Sequence, residues 1–456
     1  MGFSSEPIVA IATASGLGGI GIVRVSGKDL SQLSRDLFGK LLDPRKAELV
    51  KVLDDQKQVI DSGIALFFPD PNSFTGEDVL EFQGHGGTVV LNLVLQRILV
   101  VGQKLQMRVA RPGEFSERAF LNNKIDLAQA EAIADLIEAS TEVAVKSANR
   151  TLSGEFSNAI NNVVQKVTHL RILVEATLDF PEEEIDFLEN AKAKEQWQEI
   201  NLAINKLLQK SKQGSILRNG ALVVLAGQPN VGKSSLINQL AGNEIAIVTP
   251  IAGTTRDRIK ETIQIQGVPI QIIDTAGLRD TLDTVEKIGV ERSWEAIKES
   301  DLIIHVKDAT QQSNDNGYKL EREIREQINN FDNSIPIIEV WNKIDLSNQG
   351  ENLSGIKISA KLGIGIEELK EAILKQLGWS DQVENTFIAR TRHIEAIKKA
   401  QFHLEESGKY LSRGNSALEL FAEELRLTQE NLGEITGKLL ADDLLGKIFG
   451  SFCIGK

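Results

Sequence analysis

The sequence predicts a multidomain α/β protein: a β-rich N-terminal domain, an all-α helical domain, and an α/β domain inserted into the helical one. Three observations predict it. The chain has 456 residues, more than one ordinary hydrophobic core holds. Its texture changes from Gly-, Val- and Ile-rich to helical near Ile125. Farther on, short apolar runs that end in polar or glycine loops alternate with helical patterns, the rhythm of a parallel sheet. The expected boundaries are 1–122 for the N-terminal domain, 123–217 and 381–456 for the two helical parts, and 218–380 for the insert.

Each element has its own signal. IVAIAT, GIVRVSG and IALFFP read as strands set between glycine turns. From Ile125 the pattern is helical. Asp126 with Gln129 forms a capping box, and Ala130, Ile133 and Ile137 mark one face. GSILRNG, residues 214–220, reads as a linker. ALVVLAG, IQIIDTAG, DLIIHVKD and IPIIEVWNKID then read as strands of the insert. After Trp379 helical texture returns, with a second capping box at Ser416 and Glu419.

Composition excludes several classes. With 51 basic against 64 acidic residues the net charge is −13, which opposes non-specific binding to nucleic-acid phosphates. A single cysteine forms no intrachain disulfide and suits a reducing compartment. The best membrane candidate, VVLNLVLQRILVVG, is interrupted by Gln96 and Arg97. MGFSSEP lacks a basic and an apolar region, and Glu6 breaks the myristoylation pattern, so a cytoplasmic protein with no membrane partner is expected. The five histidines are scattered, and His85 has no metal-ligand spacing. The acidic run DFPEEEIDF, residues 179–187, reads as a solvated face.

GQPNVGKS, residues 227–234, fits G-x-x-x-x-G-K-[ST] between an apolar strand and the helix pattern SLINQLAG. Gly227 and Gly232 let backbone N–H groups wrap phosphate oxygens at a helix N-terminus, with Asn230, Val231 and Ser235 in the same loop. Lys233 would neutralise the β- and γ-phosphates, and Ser234 would bind Mg²⁺. Asp274-Thr275-Ala276-Gly277 closes a strand where a carboxylate meets the Mg²⁺ shell and a glycine N–H meets the γ-phosphate. Asp345 of Asn342-Lys343-Ile344-Asp345 can accept from both N1–H and the exocyclic amine of guanine, a donor pair adenine lacks. Ser359-Ala360-Lys361 offers N–H groups for guanine O6. These motifs, in this order, call for GTP. VTPIAGTTRD, residues 248–257, supplies Thr249, Pro250, Ile251, Ala252, Gly253 and Thr254, and then Thr255 as the expected switch threonine on Mg²⁺.

PNVGKSSL, IAGTTRD, DTAGLRDT…VEKIG and NKID together resemble the MnmE/TrmE family of tRNA-modification GTPases, and the similarity extends over the whole chain. The resemblance implies a Ras-like P-loop domain in the insert. Leu278 stands where Ras-type proteins place a water-orienting glutamine, and the resemblance assigns that work to Glu286. It implies a potassium ion on Asn230, Thr249, Ile251 and Thr254 in place of an arginine finger, although Arg256 and Arg279 lie in the switches. It also implies dimerisation of the G domains. The implied work is addition of a carboxymethylaminomethyl- or aminomethyl-type group at C5 of the wobble uridine, position 34 of tRNA. The implied assembly is a homodimer in a heterotetramer with the flavoprotein MnmG/GidA, which carries FAD and NADH. A regulatory or ribosome-assembly GTPase acting as a binding switch is the alternative.

Two further features enter through the resemblance. The N-terminal zone resembles the folate-binding domain of one-carbon enzymes and implies dimerisation there. Arg24, Glu81, Lys124 and Lys456 match contacts to a tetrahydrofolate derivative of 5-formyl or 5,10-methylene type. GLGGIG, with Gly16, Gly18 and Gly21, imitates a dinucleotide fingerprint, but a strand pattern follows it where a helix is required. The chain ends in CIGK. Gly455 and Lys456 argue against prenylation, and apolar residues at helical spacing run up to the tail. The resemblance brings this tail to the folate pocket, with Cys453 needed for modification and its thiolate favoured by Lys456.

Overall fold

The computed structural model describes residues 6–179, 192–242, 260–274, 298, 300–310, 335–347, 354–379, 386–411, 413, 417–438, 442–450, 452 and 455. The chain divides into two compact units, residues 1–134, 156–183 and 415–456 in one, and residues 135–155 and 184–414 in the other.

The first unit is built on strands β1 (Ile8–Ile11), β2 (Gly18–Gly27), β3 (Glu48–Leu53), β4 (Val59–Phe68), β5 (Asp78–Gly86) and β6 (Arg108–Val109), in the order β3-β4-β5-β2-β1-β6. All pairs are antiparallel except β1 with β6. Alternation assigns the two faces. Val23, Val25, Leu80 and Phe82 meet Leu33 and Leu37 of helix α1 (Ser31–Phe38) and Leu91, Val94, Leu95 and Ile98 of helix α2 (Thr88–Val101) in one core. Ile8 and Ala10 point to the opposite face, where they meet Ala110 and Phe115.

GLGGIG opens β2, an antiparallel strand with a register shift between Gly18 and Gly21, so no Rossmann turn forms. A Cβ on Gly21 would strike the Leu91 side chain, and this close helix approach explains the glycine. The α2 region departs from the expectation set by Gln96 and Arg97. Thr88–Leu105 is long and apolar enough to cross a membrane by length and composition. Its inward face is nonetheless spent on the sheet core, and Arg97 is only half-buried beside it.

Helix α3 (Glu114–Leu121) follows, and α4 (Leu127–Glu138) starts with the expected capping box. Asp126 N–H donates to Gln129 Oε1 at 3.0 Å, and Gln129 N–H donates to Asp126 Oδ1 at 2.9 Å. Helix α5 (Glu142–Leu152) belongs to the second unit and is capped by Thr141, which accepts from Ala144 N–H. Helix α6 (Glu155–Asp179) begins at the boundary between the units.

In the second unit, helix α7 runs unbroken over Ala193–Asn219, through the residues expected to be a linker. The reason is tertiary. Gly214 lies where the backbone of Phe387 crosses the helix so closely that a Cβ would collide with the Phe387 carbonyl oxygen. Gly214 therefore serves helix packing, and the break comes only at Gly220, with φ of 72°. The sheet of this unit comprises β7 (Ala221–Ala226), β8 (Lys260–Ile265), β9 (Val268–Asp274), β10 (Leu302–Asp308), β11 (Ile337–Asn342) and β12 (Ile356–Lys357). Their order is β12-β11-β10-β7-β9-β8, parallel throughout except for β8. Every residue of the central strand β10 is buried, as an unalternating apolar run requires. Helices α8 (Lys233–Ala241) and α9 (Ile366–Gln376) share a core with the sheet through Leu236, Leu240, Leu369 and Ile373. Helix α10 (Thr391–Leu411) packs along α7, where Trp197 Nε1 donates to the Leu404 carbonyl at 2.9 Å.

Helices α11 (Leu418–Thr436) and α12 (Asp442–Gly450) complete the first unit. The described part of α11 starts after Ala417, an N-cap with no side-chain cap bond. Ser416 itself and the bulk of the acidic run 179–187 lie outside the described residues.

Candidate functional site

Two places bring together described residues of the expected sites, one in each unit. In the second unit, β7 ends at Ala226, and the loop that opens at Gly227 returns as α8 at Lys233. Two of its glycines are sterically required. A Cβ on Gly227, whose φ is 149°, would strike the Val306 carbonyl, and one on Gly232, whose φ is 98°, would strike Asn342 Nδ2. Asn230 also takes a left-handed backbone, with φ of 63°. Lys233 is buried beneath the loop, its Nζ donating to the Gly227 carbonyl at 3.0 Å and the Gln228 carbonyl at 3.2 Å.

The third and fourth motifs close around the same loop. Asn342 Nδ2 donates to the Val231 carbonyl at 2.8 Å, while its Oδ1 accepts from Lys343 N–H at 2.8 Å and Ala360 N–H at 2.9 Å. One buried amide thus ties GQPNVGKS, NKID and SAK together. Asp345 Oδ1 accepts from Ser359 Oγ at 2.7 Å, which aims the carboxylate expected to read guanine. Lys361 follows as an exposed residue of the same loop, and Ser234 and Ser235 are exposed on the first turn of α8. All of these lie beyond the carboxyl ends of parallel strands, where open α/β sheets bind ligands.

Asp274 ends β9. Burial raises its carboxyl above the usual range, against the opposing effects of the Lys233 charge and a hydrogen bond from Ser234. Burial also lowers Lys233, with Asp274 working the other way. Asp274 Oδ1 is a buried oxygen without a hydrogen-bond partner. Such an atom beside a serine hydroxyl is a fit for a hard cation. Sequence reasoning missed Asp308. Its side chain is buried at the end of β10 and bonds to Lys343 of NKID. An aspartate ending an apolar strand was the available signal.

In the first unit, Arg24 of β2 stands opposite Glu81 of β5, and Arg24 Nε donates to Glu81 Oε1 at 2.7 Å. The guanidinium lies 5.9 Å from the ring centres of both Phe74 and Phe115. Both charges occupy the face that turns away from the α1–α2 core. Lys124 is exposed and donates to the Pro71 carbonyl at 2.9 Å, with its stem against Gly76. His85 is partnered rather than isolated: its Nδ1 and its backbone N–H meet the two carboxylate oxygens of buried Asp61, at 2.7 and 2.9 Å.

The chain end joins this unit by packing. Phe449 and Phe452 sit with Leu127 and Ala130 in a small core, and Gly113 is held against the Phe449 carbonyl. A Cβ on Gly455 would lie 2.5 Å from the Ile11 carbonyl and 3.0 Å from Ala12 Cα. Gly455 therefore lies against the end of β1, one strand from Arg24. Thr249, Pro250, Ile251, Ala252, Gly253, Thr254, Thr255, Thr275, Ala276, Gly277, Glu286, Cys453 and Lys456 lie outside the described residues. So do Arg256, Leu278 and Arg279.

Comparison with known proteins bears on both places. Residues 7–124 match the family model described as GTP-binding protein TrmE N-terminus, and residues 127–453 match that of the MnmE helical domain. A protein of Cupriavidus pinatubonensis named tRNA modification GTPase MnmE is 53% identical over 469 residues, covering 99% of each chain. One of the same name from Polynucleobacter asymbioticus is 53% identical over 457 residues, again covering 99% of each. Among solved structures, Aquifex aeolicus Era bound to GDP.AlF4- aligns with 41% of this chain and 67% of its own, at 27% identity and a TM-score of 0.28.

Proposed function

This chain belongs to the MnmE family of tRNA modification GTPases, and from that premise we propose how its two sites divide the work. It is a GTP hydrolase acting in tRNA modification. The second unit binds and hydrolyses GTP. The first holds a tetrahydrofolate one-carbon donor on the Arg24–Glu81 face. The product is an aminomethyl- or carboxymethylaminomethyl-type group at C5 of the wobble uridine, made by a cytoplasmic homodimer together with a flavoprotein partner that supplies FAD and NADH. The domain boundaries proposed are 1–122, 123–217, 218–380 and 381–456.

In the nucleotide site, loop N–H groups and Lys233 would hold the β- and γ-phosphates, and Asp345 the guanine edge. Ser234 and Thr255, with Asp274 in the outer shell, would hold Mg²⁺, which neutralises phosphate charge when bound. Asn230, with oxygens of Thr249, Ile251 and Thr254, would hold K⁺, which supplies the positive charge that an arginine finger supplies elsewhere. Glu286 would orient the attacking water. In the folate site, the Arg24–Glu81 pair would meet the polar edges of the ring system, and Lys124 and Lys456 its carboxylates. Cys453 would act on the uridine side of the reaction.

One observation supports this reading: Gly455 lies against the end of β1, the strand that pairs with the one carrying Arg24, while Phe449 and Phe452 pack on Leu127 and Ala130 of α4. A binding switch alone gives no reason to hold Gly455 there. Mass spectrometry of tRNA nucleosides from cells lacking the protein is the test. Loss of the modified wobble uridine is expected, and an unchanged nucleoside profile overturns the reading.

A further inference from the structure

Two non-glycine residues near the nucleotide loop hold left-handed backbones, Asn230 at φ 63° and Lys343 at φ 66°. The left-handed region disfavours residues that carry a Cβ, so the surroundings must hold each of them in place. They are bonded to one another: Lys343 Nζ donates to the Asn230 carbonyl at 2.8 Å. The same ammonium donates to Asp308 Oδ2 at 2.6 Å. Asp308 cannot follow the lysine if it moves. Its other oxygen accepts from Thr310 N–H at 2.9 Å and from Thr310 Oγ1 at 2.6 Å, a short local loop that fixes the carboxylate. Behind it, Ala309 N–H donates to the Asn342 carbonyl at 2.9 Å, joining the end of β10 to NKID. The Asp308 side chain is only 2% exposed, against 31% for Lys343. The acid is thus the more buried and more fully anchored partner of the pair.

We propose that Asp308 is a positioning residue of the GTP site. Clamped by Thr310, it holds the Lys343 ammonium on the Asn230 carbonyl and so keeps the left-handed turn of the phosphate loop in its binding geometry. A carboxylate is needed because a charge-assisted bond to lysine is about twice as strong as a neutral one. Burial alone would raise the Asp308 carboxyl, but the bonds from Lys343 and Thr310 and the charge of Lys343 leave it lowered, so it is ionised at neutral pH. The simpler role, neutralising a lysine, would affect stability but leave nucleotide affinity unchanged.

The test uses the full chain and a fluorescent N-methylanthraniloyl GDP. Asp308→Asn is expected to raise Kd about tenfold, mainly through faster release. Thr310→Val keeps the charge but loosens the carboxylate, and is expected to shift Kd about threefold in the same direction. If Asp308→Asn does not fold, Thr310→Val decides alone. Wild-type Kd and release rate in the folded variants overturn the proposal. A second readout rests on the potassium reading: Asp308→Asn should raise the K⁺ concentration that gives half-maximal GTP turnover, because Asn230 is the ligand displaced. Wild-type turnover that is equal in KCl and NaCl overturns the potassium reading, and the GDP measurements then decide on Asp308.

Discussion

At the scale of single residues, the two sites depend on atoms that cannot be moved. Gly232→Ala adds a Cβ at a positive φ and pushes it into Asn342 Nδ2, the amide that ties three loops together. GDP affinity should fall about 5–30-fold, given roughly 1–2 kcal/mol for the backbone and tenfold for each 1.4 kcal/mol. Calorimetric titration with GDP measures it, and retained affinity would contradict the clamp. In the first unit Glu114 is the sharper probe. Burial pushes its carboxyl up, but bonds from Arg108 and Arg111 N–H and the charges of Arg108 and Arg118 bring it down from 4.5 to about 2. A lowered folded-state value means that the stabilisation is complete above about 4.5 and is lost as pH falls towards about 2. Glu114→Gln leaves buried Arg118 with one partner fewer, and breaking such a pair costs about 3–5 kcal/mol. Urea unfolding should show that loss at pH 7 and a much smaller one near pH 3. A difference that is constant with pH would remove the electrostatic account. The motif residues were legible because each needs one chemical group at one spacing. Asp308 and Asp61 were not, because their partners lie 35 and 24 residues away.

At the scale of elements, local signals worked where local bonds decide. The Asp126–Gln129 box was readable because both its bonds span three residues. Gln129→Ala should cost about 1 kcal/mol of thermal stability, and no loss would mean that packing alone sets the start of α4. Signals failed where a distant backbone intervenes. Gly214 carries the composition of a linker, yet it sits inside α7 because the Phe387 backbone passes there. Gly214→Ala tests which account holds. Helix propensity alone predicts a gain of about 0.5–1 kcal/mol. The collision predicts a net loss of about 1 kcal/mol or more. A raised melting temperature would favour propensity and remove the packing explanation.

At the scale of the whole molecule, the two units have separate cores, and each carries one candidate site. GDP at about one hundred times Kd adds roughly 2.7 kcal/mol to whatever opens with its site. Hydrogen exchange should therefore slow in β7, α8 and β11 while β1–β6 stay unchanged, and protection of the first sheet by GDP would contradict separate cores. GTP turnover should be faster in K⁺ than in Na⁺, measured by phosphate release at equal ionic strength. The sequence by itself determined the class of chemistry here: phosphate loops, guanine recognition and the strand–helix rhythm are short-range patterns, each written in a few consecutive residues. Tertiary structure alone decided which of them meet. It tied three loops through Asn342, gave Lys343 and His85 their acidic partners, drew Gly214 into a helix, and set Gly455 against the end of β1. Such contacts arise from burial and close packing between segments far apart in the chain, and no local pattern encodes them.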